Sequence, residues 1–132
     1  MAAPFLIDTD VAIDYLRGNV DAIAYIEGLS GNNFISAITV AELYAGVRDG
    51  AERTALESFV RAFQVVVVDS AIATQGGLFR RDFGKSHGVG LADALIAASA
   101  QAHGAILVTL NAKHFPMLTT PHVPYRKPQA SP

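Results

Sequence analysis

Four short apolar runs punctuate this chain, and each is stopped by a polar residue. They are Phe5-Leu6-Ile7 before Asp8, Phe34-Ile35 before Ser36, Val65 to Val68 before Asp69, and Ile106-Leu107-Val108 before Thr109. Runs of this length between polar or turn residues read as strands buried on both faces. The stretches between them repeat their apolar residues at helical spacing: 20–29, 40–48, 51–63, 71–83 and 91–103. In 51–63, for example, Leu56, Phe59, Val60 and Phe63 share one face. Alternating strands and helices predict the α/β class, with a central parallel sheet flanked by helices. Gly31-Asn32-Asn33, Arg48-Asp49-Gly50 and Gly88-Val89-Gly90 supply turns.

With 132 residues and 51% apolar content, the chain can bury one core, so a single domain over 1–118 is expected. From 119 to 132 the tail holds Pro121, Pro124, Pro128 and Pro132. It cannot continue a helix or join a central strand, and an extended or mobile end is expected. The absence of cysteine excludes disulfides, zinc–thiolate sites and thiol nucleophiles. No basic region precedes Phe5-Leu6-Ile7, and Asp8 interrupts it, so no signal peptide is expected. The longest stretch without Asp, Glu, Lys or Arg, 94–112, is broken by Gln101, His103, Gly104 and Asn111. No membrane span is expected, and a cytoplasmic location follows as the expectation.

The net charge of −2 does not favour nucleic acid by itself. Its distribution matters more. If Asp8, Asp10, Asp14, Glu42 and Asp93 gather at one site, ten bases face the seven remaining acids, a balance of +3 outside the site. An acidic pocket in a mildly basic surface suits a nuclease, although scattered solvated charge explains the composition equally well.

Three of these acids sit where chemistry and helix architecture both want a carboxylate. Asp8 ends the first apolar run, and open α/β sheets bind ligands outside the carboxyl ends of their strands. Asp8 or Asp10 would equally cap a following helix. Glu42 closes Thr39-Val40-Ala41-Glu42, the pattern of a capping box, which puts it in a first helical turn. Asp93 precedes an apolar helical stretch, where the helix dipole favours an acid. All three would lie at strand ends or helix starts, which can share one edge of the sheet. Converging carboxylates stay ionised together only if positive charge compensates them. Oxygen-only ligands favour magnesium or manganese over zinc. Such an ion activates water and neutralises a leaving oxygen, which suits phosphodiester hydrolysis.

The ordered segments Ile7-Asp8-Thr9-Asp10 with Asp14-Tyr15-Leu16-Arg17-Gly18, then 39–47, then 91–100, then Val108-Thr109-Leu110-Asn111-Ala112-Lys113-His114-Phe115 resemble the PIN-domain toxins called VapC. The resemblance covers roughly residues 4–118. It implies a three-layer PIN-like fold and a Mg²⁺- or Mn²⁺-dependent endoribonuclease. Asp8, Glu42 and Asp93 match the family's acidic positions and would be metal ligands, directly or through water, with water as the nucleophile. It also implies a homodimer, a VapB-type antitoxin that blocks the site, and a structured RNA substrate such as transfer RNA. The family's fourth position is Asn111 here. An amide positions water or binds metal through its oxygen but adds no charge, so one firmly held ion is expected rather than two. Asp10 offers a compensating charge. Arg48, Arg80, Arg81, Lys85 and Lys113 are candidates for phosphate contacts, which position without specifying. His87 and His114 lie near the motifs and are not assigned a catalytic role. Asp69 with Ser70 is expected to cap the next helix.

Other functions need features this chain lacks. A dehalogenase-type phosphatase would use Asp8 as nucleophile, but it requires an acidic pair downstream, and no adjacent pair follows Asp10. A receiver domain would phosphorylate Asp69, but it requires a lysine before a proline; Lys113 precedes His114-Phe115, and Glu42 would have no role. An inactive binding subunit would not need Asp8, Glu42 and Asp93 intact.

Overall fold

Each of the four apolar runs overlaps a three-residue strand, the third only through Val65 and Val66, and the polar residue that stops three of them opens a helix. The computed structural model describes residues 3–126. In chain order these form β1 (Phe5–Ile7), α1 (Thr9–Leu16), α2 (Val20–Glu27), β2 (Phe34–Ser36), α3 (Ala37–Ala45), α4 (Ala51–Arg61), β3 (Gln64–Val66), α5 (Ser70–His87), α6 (Leu91–Ala102), β4 (Ile106–Val108) and a short 3-10 turn, Ala112–His114. The sheet is parallel throughout, in the order β3-β2-β1-β4.

Register explains the layers. Leu6 pairs with Leu107 and with Phe34, while Ile7 pairs with Val108. Alternation then sends Leu6, Val66 and Leu107 to one face, against Ile72 and Phe79 of α5 and the alanine-rich face of α6. Ile7, Ile35 and Val108 go to the other face, with Val11 of α1 and Tyr25 and Ile26 of α2. Ala12, Leu43, Leu56 and Phe59 join α1, α3 and α4 into a third cluster. The expected α/β architecture, a central parallel sheet with helices on both faces, is therefore the one observed.

The differences from expectation have local causes. Helix α1 follows Asp8 immediately; its eight residues carry Asp10 and Asp14, too short and too polar to stand out by apolar spacing. Helix α3 starts at Ala37, because Ser36 is its N-cap and accepts the Ile38 N–H at 3.1 Å. The capping-box placement of Glu42 in a first turn is therefore incorrect, and Glu42 lies in the second turn. Val65 is 40% exposed, so β3 is an edge strand and not buried on both faces. Asp69 caps α5 as expected, accepting the Ile72 N–H at 2.9 Å.

The tail packs along the outer edge of β4 as far as it is described. The His122 N–H donates to the Leu107 carbonyl at 2.8 Å, and the Thr109 N–H donates to the His122 carbonyl at 3.0 Å. Pro121 and Pro124 flank this single bridge, as an edge position allows. The Tyr125 hydroxyl donates to Asp14 Oδ2 at 3.0 Å. Pro128 and Pro132 lie outside the described residues. Among the described residues, no helix is long and apolar enough to cross a membrane.

Candidate active site

Parallel strands all point the same way, so the residues that follow them collect on one edge of the sheet. Asp8 stands at that edge between β1 and β4. Its N–H extends the ladder to the Val108 carbonyl at 2.9 Å. Its side chain is buried and held by both oxygens: Oδ1 accepts the Thr9 N–H at 2.8 Å, and Oδ2 accepts the Thr109 hydroxyl at 2.8 Å. Burial pushes the carboxyl up to about 7, and the negative charges of Asp10 and Asp93 push the same way. Asp8 is thus the cap of α1, and its carboxylate also faces this edge of the sheet.

Glu42 reaches the same edge from α3. The Thr9 hydroxyl donates to Glu42 Oε1 at 2.7 Å, and the Thr39 hydroxyl lies 2.9 Å from that of Thr9. Asp93, in the first turn of α6, is half-buried. Burial and the neighbouring Glu42 charge raise its carboxyl, while His114 opposes that rise. Repulsion therefore runs from Asp14 to Asp10, Asp8, Asp93 and Glu42. The five acids thus form a chain of neighbouring charges along this edge.

Asn111 also arrives at this edge, just beyond β4. Its N–H donates to Thr109 Oγ1 at 3.1 Å, and its side chain is exposed. Asp10 neighbours Asp8 but is tied mainly to backbone. Its Oδ1 accepts the Val11 N–H at 2.7 Å and its Oδ2 the Leu110 N–H at 3.0 Å. Burial raises this carboxyl against those two bonds and a longer one from the Thr109 hydroxyl, with the Asp14 charge adding to the rise.

A divalent cation is implied here by the sequence resemblance. Among the described residues, no three His, Asp or Glu side chains are grouped closely enough to hold one as they stand. Glu42 is turned onto Thr9, and mutual repulsion opposes closer approach. The donor chemistry nevertheless fits. Asp8, Glu42 and Asp93 are all-oxygen donors, and two of them have carboxyls raised by burial and by neighbouring negative charge, which a cation would offset.

Of the basic candidates, Arg48 pairs with Glu52 and Arg81 with Asp82. Arg80, Lys85 and Lys113 are in no ion pair among the described residues, and the first two lie on the half of α5 nearest the start of α6. His87 contacts Ser86 and Phe83. Sequence reasoning missed Thr9 and Thr109, whose hydroxyls hold the acids, and Thr39, whose hydroxyl meets that of Thr9. It also missed the proximity of His114 to Asp93. Only Thr109 carried a signal, a hydroxyl directly after the apolar end of β4.

The PIN domain family model matches residues 5–116. Ribonuclease VapC19 of Mycobacterium tuberculosis is 40% identical over 124 residues, covering 91% of this chain and 98% of the relative. The tRNA(fMet)-specific endonuclease VapC of Shigella flexneri is 31% identical over 117 residues, covering 84% and 89%. Among solved structures, a toxin–antitoxin complex from Klebsiella pneumoniae superimposes with a TM-score of 0.81 at 28% identity, covering 93% of this chain and 99% of that one.

Proposed function

The chain belongs to the PIN-domain family, among its VapC ribonuclease toxins, and on that premise we propose that it is the toxin of a toxin–antitoxin pair and cleaves structured RNA with a divalent cation held by Asp8, Glu42 and Asp93. One observation carries the proposal. The parallel topology brings these three carboxylates, from three separate elements, to the same sheet edge, where burial and mutual charge raise Asp8 and Asp93. Mg²⁺ or Mn²⁺, when bound, lowers the pKa of water and neutralises charge on the phosphodiester.

The chain's own residues do the rest. Asp8 is locked by the Thr9 N–H and the Thr109 hydroxyl, so its oxygens are oriented before any ligand arrives. The Thr9 hydroxyl restrains Glu42. Glu42 and Asp93 offer acceptors to the attacking water, and the Asn111 amide orients it. Arg80, Lys85 and Lys113 meet the RNA backbone. Transfer RNA is the first substrate to test, because the Shigella flexneri relative carries a tRNA specificity in its name. A VapB-type antitoxin would lie along the cleft of about 410 Å³ lined by Ile13, Leu16, Arg17, Leu43 and Val47, where Glu42 forms part of the wall. We further propose a homodimer as the working unit.

The test uses purified protein with total RNA from a bacterium, in Mn²⁺ or in EDTA. Discrete cuts in Mn²⁺, none in EDTA, and losses of at least ~100-fold in Asp8→Asn and Asp93→Asn are expected. Equal cutting in EDTA would refute metal dependence, and full activity in both variants would refute the site.

A further inference from the structure

We infer that Asp10 is a positioning residue for Asn111 rather than a ligand of the cation; this rests on the site proposed above. Asp8 and Asp10 lie two residues apart yet serve different partners. Asp8 faces Thr109, whose hydroxyl has one proton and gives it to Asp8 at 2.8 Å; the contact from the same hydroxyl to Asp10 is long, at 3.4 Å. Asp10 instead spends each oxygen on a backbone N–H. One belongs to its own helix start, at Val11, and the other to Leu110, a hundred residues away. Asp8 holds one amide and one hydroxyl, whereas both Asp10 oxygens hold backbone, so any shift of Asp10 toward a cation pulls on the Leu110 segment as well as on its own helix start.

The consequence falls on the next residue. Two consecutive residues are tied to the start of α1: Thr109 through its hydroxyl to Asp8, and Leu110 through its N–H to Asp10. Asn111 then donates its own N–H back to Thr109. The backbone of Asn111 is therefore fixed from both sides, although its side chain is exposed and no hydrogen bond orients it among the described residues. The His114 N–H donates to the Asn111 carbonyl at 3.0 Å, so the same anchor sets the turn that carries His114 to Asp93. An outer-shell anchor of this kind typically changes activity by roughly 10- to 100-fold when removed.

A double-mutant cycle tests the assignment, using the full chain, Mn²⁺, and an oligonucleotide spanning a cut mapped with wild type. Circular dichroism first confirms that each variant is folded. Asp10→Ala and Asn111→Ala are each expected to lower kcat by roughly 10- to 100-fold. The double variant is expected to be no slower than the slower single one. Asp10→Asn, whose carbonyl oxygen still accepts the Leu110 N–H, is expected to recover part of the loss. In Mn²⁺ titrations, Asp10→Ala should lose less than about a tenth of the affinity factor lost by Asp8→Asn. Multiplicative losses in the cycle, or a Mn²⁺ defect equal to that of Asp8→Asn, would overturn the inference. Unchanged kcat in Asn111→Ala would overturn both the inference and the role of Asn111, while leaving the carboxylate site standing.

Discussion

Asp8 does two jobs whose demands conflict. As a helix cap and hydroxyl acceptor it prefers to be ionised, yet burial and two acidic neighbours push its carboxyl up to about 7. Without a cation, the folded protein keeps a proton that the unfolded chain, with an ordinary value of 3.8, has already released. A raised carboxyl means that stability falls as pH rises from about 4 through about 7 and levels off above. In EDTA, the melting temperature is therefore expected to be roughly 5 °C lower at pH 8 than at pH 5, and the slope should shrink in Asp8→Asn. The same slope in both proteins would contradict the burial of Asp8. Mn²⁺ should raise the melting temperature of wild type at pH 8, and raise Asp8→Asn and Asp93→Asn by less, because each variant would lack one of the proposed ligands. Equal gains would remove both residues from the ligand set.

Among the elements, the pairing of α5 with α6 sets where Asp93 stands. Gly76 makes the close approach possible. A Cβ there would meet Leu95 Cδ2 at 2.5 Å and Leu95 Cα at 3.2 Å. Gly76→Val is expected to cost about 1–3 kcal/mol by overpacking, measured by urea denaturation, and to weaken Mn²⁺ binding by displacing α6. Stability equal to wild type would show that the two helices have room. At the other edge, the tail covers β4 through His122 and ties to α1 through Tyr125 and Asp14. Tyr125→Phe is expected to cost about 1 kcal/mol in the same assay, and no change would mean that the tail is not anchored there.

In the whole molecule, what could be read from the sequence followed the range of the forces involved. The strands and the longer helices were legible because apolar spacing is a local signal, and the acids because they stood at the ends of those elements. Helix α1 was hidden by its two aspartates, and the start of α3 by a serine cap that competed with Thr39 for the same role. The threonine bridges and the Asp10–Leu110 bond were illegible, since they join residues that only the fold brings together. The tail edge pairing was masked by prolines that argue against strands in general, though not against an outer edge.

The central claim is that Asp8, Glu42 and Asp93 make this chain a ribonuclease. The most direct measurement expresses wild type and Asp8→Asn in bacterial cells without an antitoxin, follows growth, and maps new RNA 5′ ends. The account predicts arrest and a few discrete cuts with wild type alone. Identical cut maps and identical arrest from both proteins, at equal soluble levels, would contradict it.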